Sequence, residues 1–161
     1  MITAIQASNK PPACWPEDGP EQAKSGRDLM SAELFDRLAH RIRLDHPELA
    51  AGMAERILDQ ALAFLGTCAV TTEPIGPSEL VDIGWHTFIL HTADYTDFCD
   101  RIAGRFIHHI PDEPEGDRAG SPLAASVAAI RASGFTLDPA LWFSRADCTQ
   151  CHAGCTDSPT R

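Results

Sequence analysis

Apolar residues recur at helical spacing in the first part of the chain. Ser31 suits the N-cap of a helix, and apolar positions follow it at spacings of one, three and four residues, at Leu34, Phe35, Leu38 and Ile42. The pattern breaks at His46-Pro47, and proline fits the first turn of a helix. The spacing therefore predicts one helix after Ser31 and a second helix that starts at Pro47 and ends near Gly66.

Three further helices are predicted by the same spacing. Their bounds are Ser78 to about Leu90, Thr92 or Asp94 to Gly104, and Ser121-Pro122 to Gly134. A brief turn is expected to carry Leu141 and Trp142. No alternating run of polar and apolar residues is strong enough to predict a strand. The predicted fold class is therefore all-α, a single-domain bundle of about five helices.

The two ends of the chain differ in composition from its middle. Residues 1–27 contain four prolines and no periodic apolar face, which predicts a flexible N-terminal arm. Residues 144–161 form a polar tail that is rich in Cys and His. The predicted helical domain therefore spans residues 28–143, and a chain of 161 residues has room for one such domain.

Charge and cysteine content narrow the classes of partner. The formal net charge of -10 argues against non-specific nucleic-acid binding and against an anionic membrane surface, both of which need a basic face. Every apolar run is shorter than the roughly 18 residues that a membrane span needs. The first ten residues lack a basic start followed by an apolar stretch, so we expect a cytoplasmic protein. In that reducing compartment its six cysteines are expected to be thiols or metal ligands.

A first set of candidate metal ligands lies in the second half of the predicted bundle. Asp82 and His86 are four residues apart, so a helix places them on one face, one turn apart. The pair His108-His109 follows a glycine that ends a helix, where a loop can bring the pair back against the bundle. A carboxylate and imidazoles can chelate one divalent ion, or the carboxylate can orient the imidazole. Two further residues, four apart on the next helix, are candidates for catalysis: Tyr95 and Cys99.

The same residues have an ordinary structural interpretation. An Asp and a His at helical spacing often form a hydrogen-bonded surface pair rather than a metal site. Trp85 and Tyr95 fit the core of the bundle, and Cys99 fits it as a small buried hydrophobe. The clustering of imidazoles and a thiol within 24 residues raises the weight of a metal site against that interpretation: His86, His91, Cys99, His108 and His109.

A second set of candidate ligands lies in the tail, and we call it the tail cluster. It consists of Cys148, Cys151, His152 and Cys155. CxxC spacing lets two thiolates bind one tetrahedral ion, and the remaining Cys or His can complete a zinc knuckle. An iron–sulfur cluster, a redox dithiol and a disordered tail with free thiols are the alternatives. The string Cys-x-x-Cys-His also attaches haem, but haem attachment normally belongs outside the cytosol.

The strings around the first set of ligands resemble a known family. Asp82-Ile-Gly-Trp85-His86, then Tyr95 and Cys99, resembles the Asp-x-x-Trp-His core of the bacterial members of the glycine-rich domain-containing protein-like family. The resemblance covers about residues 78–111, and the glycine-rich region that names the plant members is missing from this chain. It implies that one unit is formed by Asp82, Trp85, His86, Tyr95, Cys99, His108 and His109.

These patterns predict a transition-metal-binding helical protein whose partner is a metal ion. Zinc is the first candidate because it suits mixed Cys and His sites, with iron, an iron–sulfur cluster or copper as alternatives. One hypothesis is a metalloenzyme that uses Asp82, His86 and one of the two adjacent histidines, with Tyr95 or Cys99 near an open coordination position. The alternative is a non-catalytic interaction or adaptor module with a structural zinc in the tail cluster. An enzyme needs an open coordination position, whereas four protein ligands close a structural site.

Overall fold

The structure, a computed structural model, describes residues 23–109 and 123–143. Its elements are a 3-10 helix, Gly26–Leu29, and six α-helices: α1 Ala32–Asp45, α2 Met53–Val70, α3 Glu79–Ile89, α4 Thr92–Ala103, α5 Leu123–Ala132 and α6 Pro139–Trp142. Within the two described ranges there is no strand, and Lys24 and Phe135 form an isolated bridge. The predicted all-α class is confirmed.

Several helix ends lie where capping residues predicted them. The Ser31 hydroxyl accepts a hydrogen bond from the backbone N–H of Leu34 and begins α1. The Ser78 hydroxyl accepts one from Val81 N–H and begins α3. Each cap satisfies a backbone donor that the first turn of a helix leaves unpaired. At the end of α4, Gly104 takes a left-handed conformation with φ 63°, as the sequence predicted for a stop.

The second helix differs from its prediction at both ends. It begins at Met53 rather than at Pro47, because Gly52 has a φ of 79°, which an α-helix does not accommodate. It continues to Val70, four residues beyond the glycine that was expected near its end. Gly66 is a contact position inside the helix: a Cβ there would lie 2.6 Å from the ring of Phe135.

The core is built around α2, which contacts the 3-10 helix and α1, α3, α4 and α5. Its buried positions interlock with apolar faces of those helices to form one hydrophobic cluster. Gly84 of α3 faces Ala61 of α2 so closely that an added Cβ would lie 2.8 Å from the Ala61 Cβ. This close crossing fixes α3 on α2. Among the described helices, none combines the length and the apolar character that crossing a membrane requires.

Residues 24–27 belong to the predicted N-terminal arm but pack on the helical body. Lys24 N–H donates to the carbonyl of Gly134 at 2.8 Å, and the Ser25 hydroxyl donates to the Asp59 carboxylate of α2. Gly26 is buried against the backbone of α2, where no Cβ would fit. Residues 1–22 lie outside the described part of the chain, so the arm stays a prediction for them.

One buried amide of α2 bonds to three residues of the segment after α5. Gln60 donates to the carbonyl of Thr136 at 3.1 Å and accepts from Asp138 N–H at 3.0 Å and from the Trp142 indole N–H at 2.9 Å. We call these four residues the Gln60 cluster. Leu141 and Trp142 are buried in α6, which confirms the short turn that was expected there.

Candidate metal centre

Helix α3 has an apolar side and a polar side. Val81, Trp85 and Phe88 are buried against the core. Asp82 and His86 lie one turn apart, and the Asp82 and His86 side chains are 30% and 55% exposed. The helical spacing that places apolar residues inside thus leaves a carboxylate and an imidazole together at the surface.

A third side chain, His109, completes a compact group with this pair. His109 Nε2 lies 2.7 Å from Asp82 Oδ1, and His86 Nδ1 lies 3.0 Å from Asp82 Oδ2. The centroids of the two imidazole rings are 4.3 Å apart. Each carboxylate oxygen therefore contacts one imidazole, and we call the three residues the Asp82 group.

The donor atoms of the Asp82 group are close enough to share one ion. One ligand atom from each residue lies within 4.8 Å of the other two. Donors held about 2 Å from a common zinc ion lie at most about 4 Å apart, which is a spacing of the same order. The His109 side chain is 11% exposed, whereas that of His86 is 55% exposed. The group is therefore closed on the His109 side and reaches water on the His86 side.

His109 reaches the group from a non-helical segment that follows α4. Within it Ile107 is buried, whereas Phe106 and His108 are exposed and their rings lie 4.9 Å apart. Burial thus alternates along this segment, and the two neighbouring histidines have different surroundings. Of the two adjacent histidines, the structure brings His109 to Asp82 and leaves His108 against Phe106.

A hydrogen-bonded pair of aromatic residues lies beneath the group. The Trp85 indole N–H donates to the Tyr95 hydroxyl at 2.9 Å, and that hydroxyl donates to the carbonyl of Ile107 at 2.6 Å. The Trp85 ring also contacts the His109 ring edge-on, with centroids 4.4 Å apart. The group is thus backed by Trp85 and, through it, by Tyr95.

A protein-family model matches the part of the chain that contains this site. The family model with the description UCP032817-like matches residues 26–120, which is more than half of the chain. The chain belongs to the UCP032817-like family. The matched region of this UCP032817-like chain contains α1 to α4 and all three members of the Asp82 group. No curated protein and no solved structure matches the chain.

The two candidates for catalysis in this UCP032817-like chain lie in the core. Tyr95 and Cys99 are fully buried, as the structural interpretation of the sequence expected. Burial raises the pKa of the Tyr95 phenol above its ordinary value, and the hydrogen bond from Trp85 opposes that shift. Neither side chain is among the three residues whose donor atoms converge.

One predicted part of the site lies outside the described residues, and one observed contact was not predicted. The tail cluster (Cys148, Cys151, His152 and Cys155) lies outside the described residues, so its zinc knuckle stays a prediction. The contact that the sequence did not reveal is the carbonyl of Ile107, which accepts the Tyr95 hydroxyl. Every residue has a carbonyl, so no residue type could have indicated this acceptor.

Proposed function

We propose that this UCP032817-like protein binds one divalent transition-metal ion through Asp82, His86 and His109. The observation that carries the proposal is the convergence of one carboxylate and two imidazoles from two separate parts of the chain. His86 and Asp82 are neighbours on one helix, but His109 is 27 residues from Asp82 and still lies 2.7 Å from it. A surface pair on a single helix does not require such a third residue.

The number of ligands favours an open site over a closed one. Catalytic zinc sites commonly use three protein ligands and keep a further position for water or substrate, whereas structural sites use four. The exposure of His86 supports access from that side. A bound ion of this kind polarises substrate oxygens or lowers the pKa of bound water. We therefore propose a metalloenzyme, with Asp82, His86 and His109 holding the ion.

Zinc is the first candidate for the ion. Zinc accepts imidazole nitrogen and carboxylate oxygen with little preference of its own for geometry. Two histidines and one carboxylate with open positions also form the ligand set of non-haem iron(II) enzymes, and imidazole suits copper. The resemblance of the Asp-x-x-Trp-His string to the glycine-rich domain-containing protein-like family is compatible with each of these ions.

A non-catalytic interaction module is the second candidate function. It is favoured by the CxxC spacing of the tail cluster, which suits a closed structural zinc site. In that case the Asp82 group would be a hydrogen-bonded surface network, and the only ion would be in the tail. The two proposals therefore differ in which residues are needed for metal binding.

Calorimetric titration with zinc tests the proposal in a full-length background without the tail ligands. We call this background the tail variant: its three tail cysteines are replaced by Ser and His152 by Ala. After treatment with chelator it is expected to bind about one equivalent of zinc. His109→Ala is expected to weaken binding by more than about 100-fold, since loss of an outer-shell partner alone costs 10–100-fold.

His108→Ala is the matched control, because it removes the same side chain from the neighbouring, exposed position. It is expected to leave the zinc affinity unchanged. Equal affinities of the His108 and His109 variants would contradict the proposed ligand set. Absence of zinc binding in the tail variant, with binding retained in the unmodified chain, would favour the interaction module.

A further inference from the structure

We infer that the Tyr95 hydroxyl positions His109 in the Asp82 group. This inference rests on the proposed function and gives Tyr95 a role as a positioning residue rather than a catalytic one. The hydroxyl connects the two parts of the chain that supply the imidazoles. It accepts from Trp85, the neighbour of His86 in sequence, and donates to Ile107, two residues before His109.

The segment that leads to His109 is not part of any regular element. Residues 105–109 follow the left-handed Gly104 and form neither helix nor strand. The hydrogen bond from Tyr95 to the carbonyl of Ile107, 2.6 Å long, joins this segment to α4. Along it Ile107 is buried, His108 is exposed and His109 is only 11% exposed, so the side chains of Ile107 and His109 both face the body of the domain. Fixing Ile107 inward therefore directs His109 toward Asp82.

Trp85 provides the second half of the positioning. Its indole N–H is oriented by the Tyr95 hydroxyl at 2.9 Å, and its ring supports the His109 ring, with centroids 4.4 Å apart. The hydroxyl thus determines both the backbone position before His109 and the surface on which the imidazole rests. Such outer-shell contacts orient metal ligands and tune their affinity.

Tyr95→Phe separates this role from ordinary packing. The ring of Tyr95 packs edge-on against Phe88 and Phe106, at 5.1 and 5.2 Å between centroids, and a Phe ring keeps both contacts. Thr67→Val is the matched control: it removes another buried hydroxyl, one that donates to the carbonyl of Ala63 within α2. Thr67→Val loses one buried hydrogen bond and Tyr95→Phe loses two, but only Tyr95→Phe loses links to the Asp82 group.

The experiment uses two readouts on these variants in the tail-variant background. The first is zinc affinity, which Tyr95→Phe is expected to weaken by about 10–100-fold while Thr67→Val leaves it unchanged. The second is labelling of the metal-free protein with diethyl pyrocarbonate, read by peptide mass spectrometry. His109 is shielded, at 11% exposure, and is expected to be labelled several times faster in Tyr95→Phe than in the control.

The two readouts separate failure of this inference from failure of the proposed function. If no variant binds zinc but His109 labelling still rises in Tyr95→Phe alone, the metal site is wrong and the positioning holds. Unchanged labelling of His109 in Tyr95→Phe would overturn the inference, as would equal effects in Thr67→Val.

A third measurement covers the case in which Tyr95→Phe does not fold. Tyr95 is the single tyrosine of the chain, so 3-fluorotyrosine incorporation labels it specifically. Its fluorine resonance in the folded tail variant is expected to shift when zinc is added, and not to shift in His109→Ala. The same resonance with and without bound zinc would overturn the inference.

Discussion

The Gln60 cluster and the Asp82 group are both polar assemblies, but they differ in charge and burial. Gln60 is almost fully buried and neutral, and its amide bonds to partners from the segment after α5. Asp82 is an ionisable side chain, is partly exposed, and contacts one imidazole with each carboxylate oxygen. Both are held by residues distant in sequence. One small domain therefore contains two kinds of polar assembly.

The difference shows why the second assembly is the better candidate for binding. A buried amide whose hydrogen bonds are satisfied stabilises one arrangement of the chain, because any other leaves polar groups unpaired. The Asp82 and His86 side chains are 30% and 55% exposed, so their contact contributes little to folding because water solvates both groups almost as well. Their donor atoms are nonetheless pre-assembled. The comparison predicts that changes in the Gln60 cluster alter stability, whereas changes in the Asp82 group alter metal binding.

The largest effect on stability is expected from Gln60→Leu. The change leaves the Trp142 indole N–H and the Asp138 backbone N–H without their acceptor, and unpaired buried donors are costly. We expect the free energy of unfolding in urea to fall by about 3 kcal/mol. Thr136→Ala is the control, since that side chain is exposed and its backbone carbonyl remains. Equal stability of the two variants would show that the cluster does not hold the segment.

Gly84→Ala is expected to have a smaller effect on stability and to lower the zinc affinity as well. Its Cβ would meet Ala61 of α2 at 2.8 Å and force α3, with Asp82 and His86, away from α2. Overpacking of this kind costs about 1–3 kcal/mol, and we expect zinc affinity to fall as well. Gly76→Ala is the control, because the space around Gly76 is open. An unaltered affinity in Gly84→Ala would mean that the crossing of α3 and α2 does not position the site.

Asp82→Asn is expected to leave the metal-free protein nearly as stable as the parent. Polar contacts of partly exposed side chains contribute less than about 1 kcal/mol, so thermal unfolding with chelator should change little. Zinc at about 100 times its Kd should stabilise the parent by about 2.7 kcal/mol and the variant far less. If the variant is less stable in chelator but zinc stabilises it as much as the parent, Asp82 supports the fold and does not bind the ion.

The smallest effect is confined to alkaline solution. Burial raises the pKa of Tyr95, so the phenol ionises more readily in the unfolded chain, at about pH 10, than in the folded one. Its contribution to stability is therefore complete below about pH 10 and is lost as the pH rises further. Tyrosinate absorbance of this single tyrosine should appear together with unfolding. Ionisation at about pH 10 in the folded protein would contradict the buried hydroxyl.

The sequence predicted those parts of the fold and the site that depend on local spacing. Ser31 and Ser78 begin helices and Gly104 ends one, each by local chemistry. The interval from Asp82 to His86 is one helical turn. The predicted start of α2 was wrong, because a proline that suits the first turn of a helix also fits the turn that precedes the helix.

Tertiary packing decided what local spacing left open. Gly66 meets Phe135 across the domain and so lies inside α2 rather than near its end. The choice between His108 and His109 depends on which of the two side chains this non-helical segment turns toward α3. The spacing of two adjacent histidines is the same for either outcome. The sequence therefore offered both as ligands, whereas the packing of Ile107 and Trp85 favours His109.

The most direct test of the metal site is the metal content of the tail variant purified without added metal. Elemental analysis by mass spectrometry should find about one equivalent of a transition metal in the tail variant and in its His108→Ala derivative. The His109→Ala derivative should contain close to none, with its helical circular dichroism unchanged. Equal metal content in the His108 and His109 derivatives, or a folded tail variant that takes up no zinc, iron or copper, would contradict the account.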